Sequence, residues 1–253
     1  MSAITPLSAL ASNPLWLSAR TSAFANSLFS GTIDVHPVLV RDTMYKLPFS
    51  LIPQAAFVGR SNVGKSSLIN ALLHNREIAR PSALPGRTRQ LFTFDVADRL
   101  SLVDLPGYGF AGKISHDDRQ QWIEMIKMYI ESANGLERIV SLIDCRHGVK
   151  KVDEEFWKLV SESPIHPKRK RKALVMVALT KTDLVDPHEL SRMIKGTAAL
   201  VDNYGKTQGM RFWPFLHAIS SETGFGIKEL RCALASICPI QDKANEDMVP
   251  IDN

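Results

Sequence analysis

The sequence has few cysteines, and it lacks any hydrophobic run of membrane-spanning length. Its three cysteines, Cys145, Cys232 and Cys238, are an odd number without the spacing of a metal site. Such usage is typical of reduced thiols in a cytosol, matrix or stroma, and it disfavours a secreted, disulfide-linked protein. The longest apolar run beside a predicted strand, 173–179, is far shorter than the ~20 residues of a membrane helix. We therefore expect no membrane association.

Acidic residues are absent from residues 1–33, which contain seven serines and a single charged residue, Arg20. This composition is typical of an organellar presequence, although presequences usually carry more arginine. A flexible tail, or an arm that orders on a partner, explains the same composition. We predict an N-terminal extension over residues 1–36, a globular domain over 37–240 and a C-terminal tail over 241–253.

The rest of the chain has the composition and the patterning of an α/β protein. Of the 253 residues, 45% are hydrophobic, which allows a sizeable core, and the net charge of +5 weakly favours an anionic partner. Strand-like and helix-like segments alternate, which predicts a mostly parallel six-stranded sheet with helices on both faces. The predicted strands are 55–58, 90–96, 100–103, 138–143, 173–179 and 212–219, and later helices are predicted at 115–132, 152–161, 187–200 and 227–237. The second and third strands form a hairpin, which places one antiparallel strand at an edge.

A GxxxxGK[S/T] loop lies between the first strand and a helical segment. Its residues are Gly59, Arg60, Ser61, Asn62, Val63, Gly64, Lys65 and Ser66, and Ser67 follows in the helix. Such a loop turns successive backbone N–H groups inward and forms an anion site at a helix N-terminus. We predict that Lys65 contacts the outer phosphates of a nucleotide and that the Ser66 hydroxyl ligates magnesium. Taken alone, the pattern also fits a glycine-containing surface turn.

Two further segments have the form of phosphate and magnesium contacts. Asp104 and Gly107 frame a DxxG motif after the third strand, where the aspartate holds magnesium through water and the glycine amide senses a γ-phosphate. A Pro-Gly turn is the alternative. The segment 85–88 lies where GTPases carry a switch threonine that caps magnesium. Thr88 is the candidate there, and Thr93 is a poorer one because it lies in strand-like sequence.

Two loops at later strand ends carry a guanine signature. In the TKTD segment, the Asp183 carboxylate accepts from the N1/N2 edge of guanine, the stem of Lys181 lies along the base, and Thr180 replaces the asparagine of the usual NKxD motif. After the last strand come Ser220 and Ser221, and the Ser221 amide is assigned to guanine O6. Alone, these loops also fit a polar turn and a helix cap. All five elements in order predict a P-loop GTPase with a Ras-like G domain.

The motifs together resemble the EngB family of GTPases that assist assembly of the large ribosomal subunit. The similarity rests on GRSNVGKSSLINALL, PGRT, DLPGYGF, TKTD and SSETGFGIKEL, within residues 50–238. It implies a switch that binds GTP, GDP and Mg²⁺, contacts rRNA and ribosomal proteins of an immature large subunit, and is a monomer off the ribosome. With the N-terminal extension, it implies the mitochondrial matrix, with the cytoplasm or the plastid stroma as alternatives.

Two residues bear on the rate of hydrolysis. Tyr108 stands where Ras-like enzymes carry a water-orienting glutamine, which predicts slow intrinsic hydrolysis. The resemblance implies that Asn62 helps hold K⁺ beside the phosphates, and the alternative is that Asn62 only supports the turn of the loop. The predicted catalytic residues are Lys65, Thr88, Gly107 and Asn62.

Five consecutive basic residues, 168–172, precede the fifth predicted strand. A solvated loop and a nuclear import signal are alternatives, and with the family resemblance we favour contact with rRNA phosphates. Another class of function is an RNA-binding assembly placeholder whose GTP is structural and rarely hydrolysed. A membrane-traffic GTPase is disfavoured because the sequence ends in VPIDN, without a prenylation cysteine.

Overall fold

The computed structural model of the protein describes residues 2–7, 14–39, 52–74, 78–79, 90–108, 116–164, 167, 169 and 171–239. The switch candidate Thr88, the rest of segment 85–88, Lys168, Lys170 and the predicted tail 241–253 lie outside these residues. None of the described helices combines the length and the apolar character that a membrane span needs.

An eight-stranded mixed sheet forms the centre of the protein, in the order β1-β8-β7-β6-β3-β5-β4-β2. The strands are β1 (Ile4–Pro6), β2 (Ile33–Leu39), β3 (Gln54–Gly59), β4 (Gln90–Val96), β5 (Leu100–Asp104), β6 (Leu136–Asp144), β7 (Leu174–Thr180) and β8 (Phe215–Ala218). Neighbours among β8, β7, β6, β3 and β5 are parallel, so the carboxyl ends of these strands meet at one edge of the sheet. The other three strands are antiparallel to their neighbours.

Helices cover both faces of the sheet. They are α1 (Ala19–Phe29), α2 (Lys65–Leu72), α3 (His116–Ser132), α4 (Lys151–Glu162), α5 (Pro187–Gln208) and α6 (Ile227–Ala235), with short 3-10 helices at Leu15–Leu17 and Thr182–Leu184. One core cluster contains residues of α1, α2 and α6, and the other contains residues of α3, α4 and α5. Residues of β3 alternate between the two clusters, because successive side chains of a strand point to opposite faces.

Local sequence explains several of these elements. β4 and β5 form the predicted hairpin around the three-residue loop 97–99, in which Ala97 and Asp98 both have positive φ, 50° and 52°, as the central residues of a type I′ turn do. The Asp186 side chain accepts hydrogen bonds from the amides of His188 and Glu189 and caps α5. This helix continues to Gln208, beyond the predicted end at residue 200, and Gly209 ends it with φ 63°.

The α/β class is confirmed, but the predicted six-strand count and the predicted edge are wrong. β2 pairs with β4 along its whole length, so β4 is not an edge strand, and β1 extends the opposite side beyond β8. Neither added strand has a clear sequence pattern: β1 has three residues, and β2 contains Pro37, which sheets tolerate at an edge.

The N-terminal segment is packed onto the sheet and its helices. β1 and β2 form the two outer strands, and α1 packs against α6 with Phe29 fully buried. The predicted boundary at residue 37 differs from the structure, because β2 runs from Ile33 to Leu39 across it. The composition of this segment did not indicate packing, because α1 owes its place to contacts with distant parts of the chain.

Candidate functional site

The GxxxxGK[S/T] loop joins the carboxyl end of β3 to the start of α2. α2 begins at Lys65, and Gly64 is its N-cap with φ 97° and ψ 22°, a left-handed conformation that glycine adopts without steric cost. The first N–H groups of a helix have no intrahelical partner. The start of α2 therefore offers backbone donors and the positive end of the helix dipole, which suit an anion.

Asp104 lies at the end of β5, beside the loop, because β5 pairs with β3 and Asp104 is opposite Phe57. Its carboxylate is in direct contact with the Lys65 ammonium group. Burial raises the pKa of the Asp104 carboxyl above its ordinary value, and the charge and hydrogen bond of Lys65 oppose that shift. The structure thus brings together the predicted phosphate lysine and the predicted magnesium aspartate.

The residues present fit a magnesium ion shared with a nucleotide. The Ser66 hydroxyl and the Asp104 carboxylate are hard oxygen ligands on two adjacent elements. Among the described residues, no group of three or more histidine, cysteine or acidic side chains could hold a metal alone. An ion at this position would therefore be completed by phosphate oxygens and water, the mode that Mg²⁺ prefers. The role of Thr88 stays a prediction.

Gly107 lies against the first residues of the loop. A Cβ atom at this position would be 3.0 Å from the carbonyl oxygen of Gly59, so a side chain here would require the Gly59 backbone to move by a few tenths of an ångström. Tyr108 donates its N–H to the Gly59 oxygen at 3.1 Å, and its own carbonyl accepts from the Ser61 N–H at 3.2 Å. The DxxG segment and the phosphate loop are therefore joined by backbone hydrogen bonds.

Thr180 connects the TKTD loop to the phosphate loop. Its hydroxyl donates to the carbonyl oxygen of Val63 at 2.7 Å and lies 3.3 Å from that of Ile143. The sequence assigns Thr180 to the nucleotide-binding guanine signature, whereas in the structure its hydroxyl is directed to the protein backbone. Thr180 is only 3% exposed, so its side chain must be small and its hydroxyl must find a partner inside the protein, which the Val63 carbonyl oxygen provides.

Lys181 also contacts the phosphate loop. It has a left-handed backbone, with φ 59°, and its ammonium group donates to the carbonyl oxygen of Asn62. Asn62 is left-handed too, with φ 61°, a conformation that asparagine tolerates better than most residues. The position of Asn62 therefore agrees with a role in the turn of the loop, and the potassium role stays a prediction.

The sequence reasoning missed Asp144, at the end of β6. Its carboxylate lies 3.0 Å from the Lys181 ammonium group and accepts two hydrogen bonds from the Arg146 guanidinium, at 2.9 and 2.7 Å. Burial acts to raise the pKa of Asp144, but the hydrogen bonds from Arg146 and Lys181 outweigh it and hold the pKa well below its usual range. An acidic residue at the end of a hydrophobic strand was the available signal.

The remaining guanine residues lie on neighbouring loops. Asp183 is exposed within the 3-10 helix Thr182–Leu184, and the Thr182 N–H donates to the carbonyl oxygen of Ile219 at 3.3 Å. This contact places the TKTD loop beside Ser220 and Ser221. The Ser220 hydroxyl accepts from the Thr223 N–H at 3.1 Å and stabilises its own turn, whereas Ser221 is half-buried at the surface.

Comparison with known proteins finds similar GTP-binding proteins. The family model described as "50S ribosome-binding GTPase" matches residues 54–181. The chain is 42% identical over 190 residues to "Probable GTP-binding protein EngB" of Gluconobacter oxydans (strain 621H), covering 75% of this chain and 78% of that protein. It is 37% identical over 219 residues to the protein of the same name from Jannaschia sp. (strain CCS1), covering 87% and 93%.

Solved structures show the same fold. A crystal structure of a probable GTP-binding protein EngB matches with a TM-score of 0.52 and 22% identity, over 73% of this chain and 97% of that one. A variant of Aquifex aeolicus Era bound to GDP·AlF4⁻ matches with a TM-score of 0.51 and 23% identity, over 76% and 58%.

Proposed function

The chain belongs to the EngB family of GTP-binding proteins, and from this membership we propose that it is a GTP-hydrolysing switch in assembly of the large ribosomal subunit. The observation that carries the proposal is the joining of three loops at one edge of the sheet. The phosphate loop contacts Asp104 through Lys65, and it contacts the TKTD loop through Thr180 and Lys181. A nucleotide held there has its phosphates and its base on connected parts of the protein.

We propose that intrinsic hydrolysis is slow and that Mg²⁺ accompanies the nucleotide. Tyr108 is 6% exposed, and its hydroxyl donates to Asp153 at 2.9 Å, so the side chain is engaged in the protein interior. It therefore does not take over the water-orienting role of the glutamine in Ras-like enzymes. We propose that a potassium ion beside Asn62 supplies positive charge next to the transferring phosphate, the role of an arginine finger in other GTPases.

For the partner, the proposal is the immature large subunit, contacted in part through the basic run 168–172. Arg171, on this run, and Arg211, beside it, are exposed. The Arg211 guanidinium donates to the carbonyl oxygen of Lys172 at 3.1 Å, which joins the two segments. Exposed guanidinium groups suit the phosphates of RNA, because they offer several donors and a permanent charge.

For the compartment, the proposal is the mitochondrial matrix, with the cytoplasm or the plastid stroma as alternatives. Removal of residues 1–36 would take away β1, α1 and part of β2, and it would uncover the surface of α6 that α1 covers. We therefore propose that the segment is retained in the mature protein, so in the matrix it would act as a targeting segment that is not cleaved. Mass spectrometry of the protein isolated from its own cells tests this, and a mature form beginning near residue 37 would contradict it.

GTP turnover, measured with and without purified immature large subunits, tests the proposed function. We expect slow turnover of the protein alone and faster turnover with particles. Lys65→Ala should abolish turnover. Lys158→Ala, the control, should retain it, because this lysine is exposed on α4 and far from Lys65 in the sequence. Binding of the GTP form without any turnover would favour the placeholder function. If neither binding nor turnover responds to the particles, the assembly role is wrong.

Magnesium dependence separates phosphate contact from metal contact at the same site. Ser66→Ala removes the proposed Mg²⁺ ligand but leaves Lys65 in place. We expect the variant to need a higher Mg²⁺ concentration for half-maximal GTP binding than the wild type. Equal magnesium dependence of the two proteins would contradict the ligand role of Ser66.

A further inference from the structure

A buried polar network includes Tyr108, the residue that follows Gly107. The Tyr108 hydroxyl donates to Oδ1 of Asp153 at 2.9 Å, and Asp153 is fully buried at the start of α4. Its Oδ2 accepts from the Lys150 N–H at 2.7 Å and lies 3.6 Å from Nε of Arg60. The Arg60 guanidinium also donates to the carbonyl oxygen of Gly148 at 3.0 Å. We call Asp153, Tyr108 and Arg60 the Asp153 network.

Stability alone is a weak reason for such a network. Burying a carboxylate is costly unless it is paired and hydrogen-bonded, and well-packed apolar residues of similar volume are often as stable or more so. Burial raises the pKa of Asp153, and the Lys150 and Tyr108 hydrogen bonds and the Arg60 charge oppose the shift. The network therefore depends on all of its members being in place.

Side chains of α3 and α4 hold the DxxG segment next to the network. The Tyr108 ring stacks on Phe156 of α4, with 5.3 Å between centroids, and meets Trp122 of α3 edge-on at 5.6 Å. Trp122 also donates its indole N–H to the carbonyl oxygen of Pro106 at 3.0 Å. Both neighbours of Gly107 are thus held by side chains that extend from the helices.

The same network reaches the phosphate loop. Arg60 and Tyr108 are bridge partners, and their side chains approach the same carboxylate, that of Asp153. Together with the backbone hydrogen bonds of Tyr108 to Gly59 and Ser61, this holds Gly107 against the loop. A displacement of Asp153 would therefore change the distance between the Gly107 amide and the phosphate site.

We propose that Asp153, through Tyr108 and Arg60, is a positioning residue that places the Gly107 amide for the γ-phosphate of GTP. The inference rests on the proposed GTPase function. Because GDP has no γ-phosphate, the network favours GTP over GDP, and it couples the occupied site to α3 and α4. Asp153 acts through its neighbours and is not itself among the predicted contacts of the nucleotide or the metal.

Removal of a single hydroxyl tests the network. Tyr108→Phe keeps the stacked ring and removes the hydroxyl that donates to Asp153. The matched control is Tyr129→Phe, because the Tyr129 hydroxyl is also buried and donates to Oε1 of Gln54 at 3.0 Å, at the amino end of β3, away from the phosphate loop. The measurements are the affinity for a non-hydrolysable GTP analogue, the affinity for GDP, kcat and thermal unfolding.

We expect Tyr108→Phe to lower both kcat and the ratio of analogue affinity to GDP affinity by about fivefold to tenfold, the effect of one lost hydrogen bond. GDP affinity should stay near that of the wild type. Tyr129→Phe should lower the unfolding temperature without changing the ratio or kcat. Asp153→Asn should act in the same direction as Tyr108→Phe, and if it does not fold, Tyr108→Phe decides alone.

An unchanged affinity ratio and kcat in Tyr108→Phe would overturn the proposal. So would an equal loss in Tyr129→Phe, because it would assign the effect to general destabilisation. Failure of the wild type to hydrolyse GTP would count against the proposed function, whereas the affinity ratio would still decide the role of the network.

Discussion

Single side chains join the TKTD loop to the phosphate loop. Thr180 reaches the Val63 carbonyl oxygen and Lys181 reaches that of Asn62, while Asp144 holds the Lys181 ammonium group. Asp183 is the exposed member of the TKTD loop, so its carboxylate is available to a ligand. Thr180 and Lys181 therefore fix the place of the loop, and Asp183 stays the predicted contact of the base.

Base preference should depend on Asp183. Asp183→Asn replaces one acceptor oxygen with a donor group, so the preference should move from GTP toward xanthosine triphosphate. Loss of one charge-assisted hydrogen bond is worth about 1.5–3 kcal/mol, and competition binding of the two nucleotides measures the change. Asp186→Asn is the matched control, because it makes the same chemical change three residues later and keeps an α5 cap. A variant that still prefers GTP by the wild-type margin would show that Asp183 does not read the base.

Potassium should accelerate turnover through Asn62. A monovalent cation beside the transferring phosphate would offset the charge that develops in the transition state, so GTP hydrolysis should be faster in K⁺ than in Na⁺ at equal ionic strength. Asn62→Gly should abolish that difference while changing nucleotide affinity less, because a transition-state interaction acts on kcat. Glycine is a cleaner change than alanine here, since φ is 61°. Equal wild-type rates in the two salts, with ribosomal particles present, would leave Asn62 a structural residue.

At the scale of elements, the basic run has a second role at two helix ends. The Arg169 guanidinium donates to the carbonyl oxygens of Ile130 in α3 and Leu136, and the Lys172 ammonium group donates to that of Ser161 in α4. Basic groups near a helix C-terminus satisfy free carbonyls and complement the helix dipole. Part of the run predicted to contact RNA therefore stabilises the protein.

The two roles should separate in a salt titration of binding to immature large subunits. Arg171→Gln should flatten the log–log salt dependence of particle binding by roughly one unit, less for irregular RNA, and leave stability nearly unchanged. Arg169→Gln should lower the free energy of unfolding by about 1 kcal/mol and leave the salt slope unchanged. An unchanged slope in Arg171→Gln and in a variant with all five basic residues neutralised would assign the run to solvation and helix capping only.

At the scale of the whole molecule, the N-terminal segment is connected through α6 with the C-terminal end of α2. α1 packs on α6, and Arg231 of α6 lies over the Phe29 ring, with its guanidinium carbon 5.6 Å from the centroid. The same guanidinium donates to the carbonyl oxygens of Leu72 and Ala71 at 2.9 and 2.8 Å, at the end of α2. Arg231 thus joins α2, which begins at the phosphate loop, to α1 of the N-terminal segment.

Truncation of Phe29 should therefore destabilise the whole domain. Phe29→Ala removes a fully buried ring, and such changes cost about 3–5 kcal/mol of unfolding free energy. Leu15→Ala, in the same segment but 80% exposed, should cost little. Urea unfolding of the two variants, in the presence and in the absence of nucleotide, measures these losses of unfolding free energy. Equal, small losses in the two variants would mean that the N-terminal segment is peripheral to the folded domain.

The sequence by itself determined the family of GTP-binding proteins, the α/β class and most of the central fold. Each motif lies at the end of a hydrophobic strand: the phosphate loop, the segment with Asp104 and Gly107, and the TKTD segment. Parallel strands bring their carboxyl ends to one edge of the sheet, so these motifs meet there. The β4–β5 hairpin was predictable too, because its turn joins neighbours in sequence. These features depend on short-range patterns and on motifs whose spacing is set by their chemistry.

Only the tertiary structure decided the contacts that join distant parts of the chain. Composition does not show that residues 4–6 pair with β8, that Thr180 bonds to Val63, or that Tyr108 meets a carboxylate 45 residues later. The same is true of Arg169, a basic residue whose sequence context suggests solvent and whose guanidinium caps a helix. The physical reason is that hydrogen-bond partners and burial depend on which elements pack together, and a linear pattern does not specify the packing.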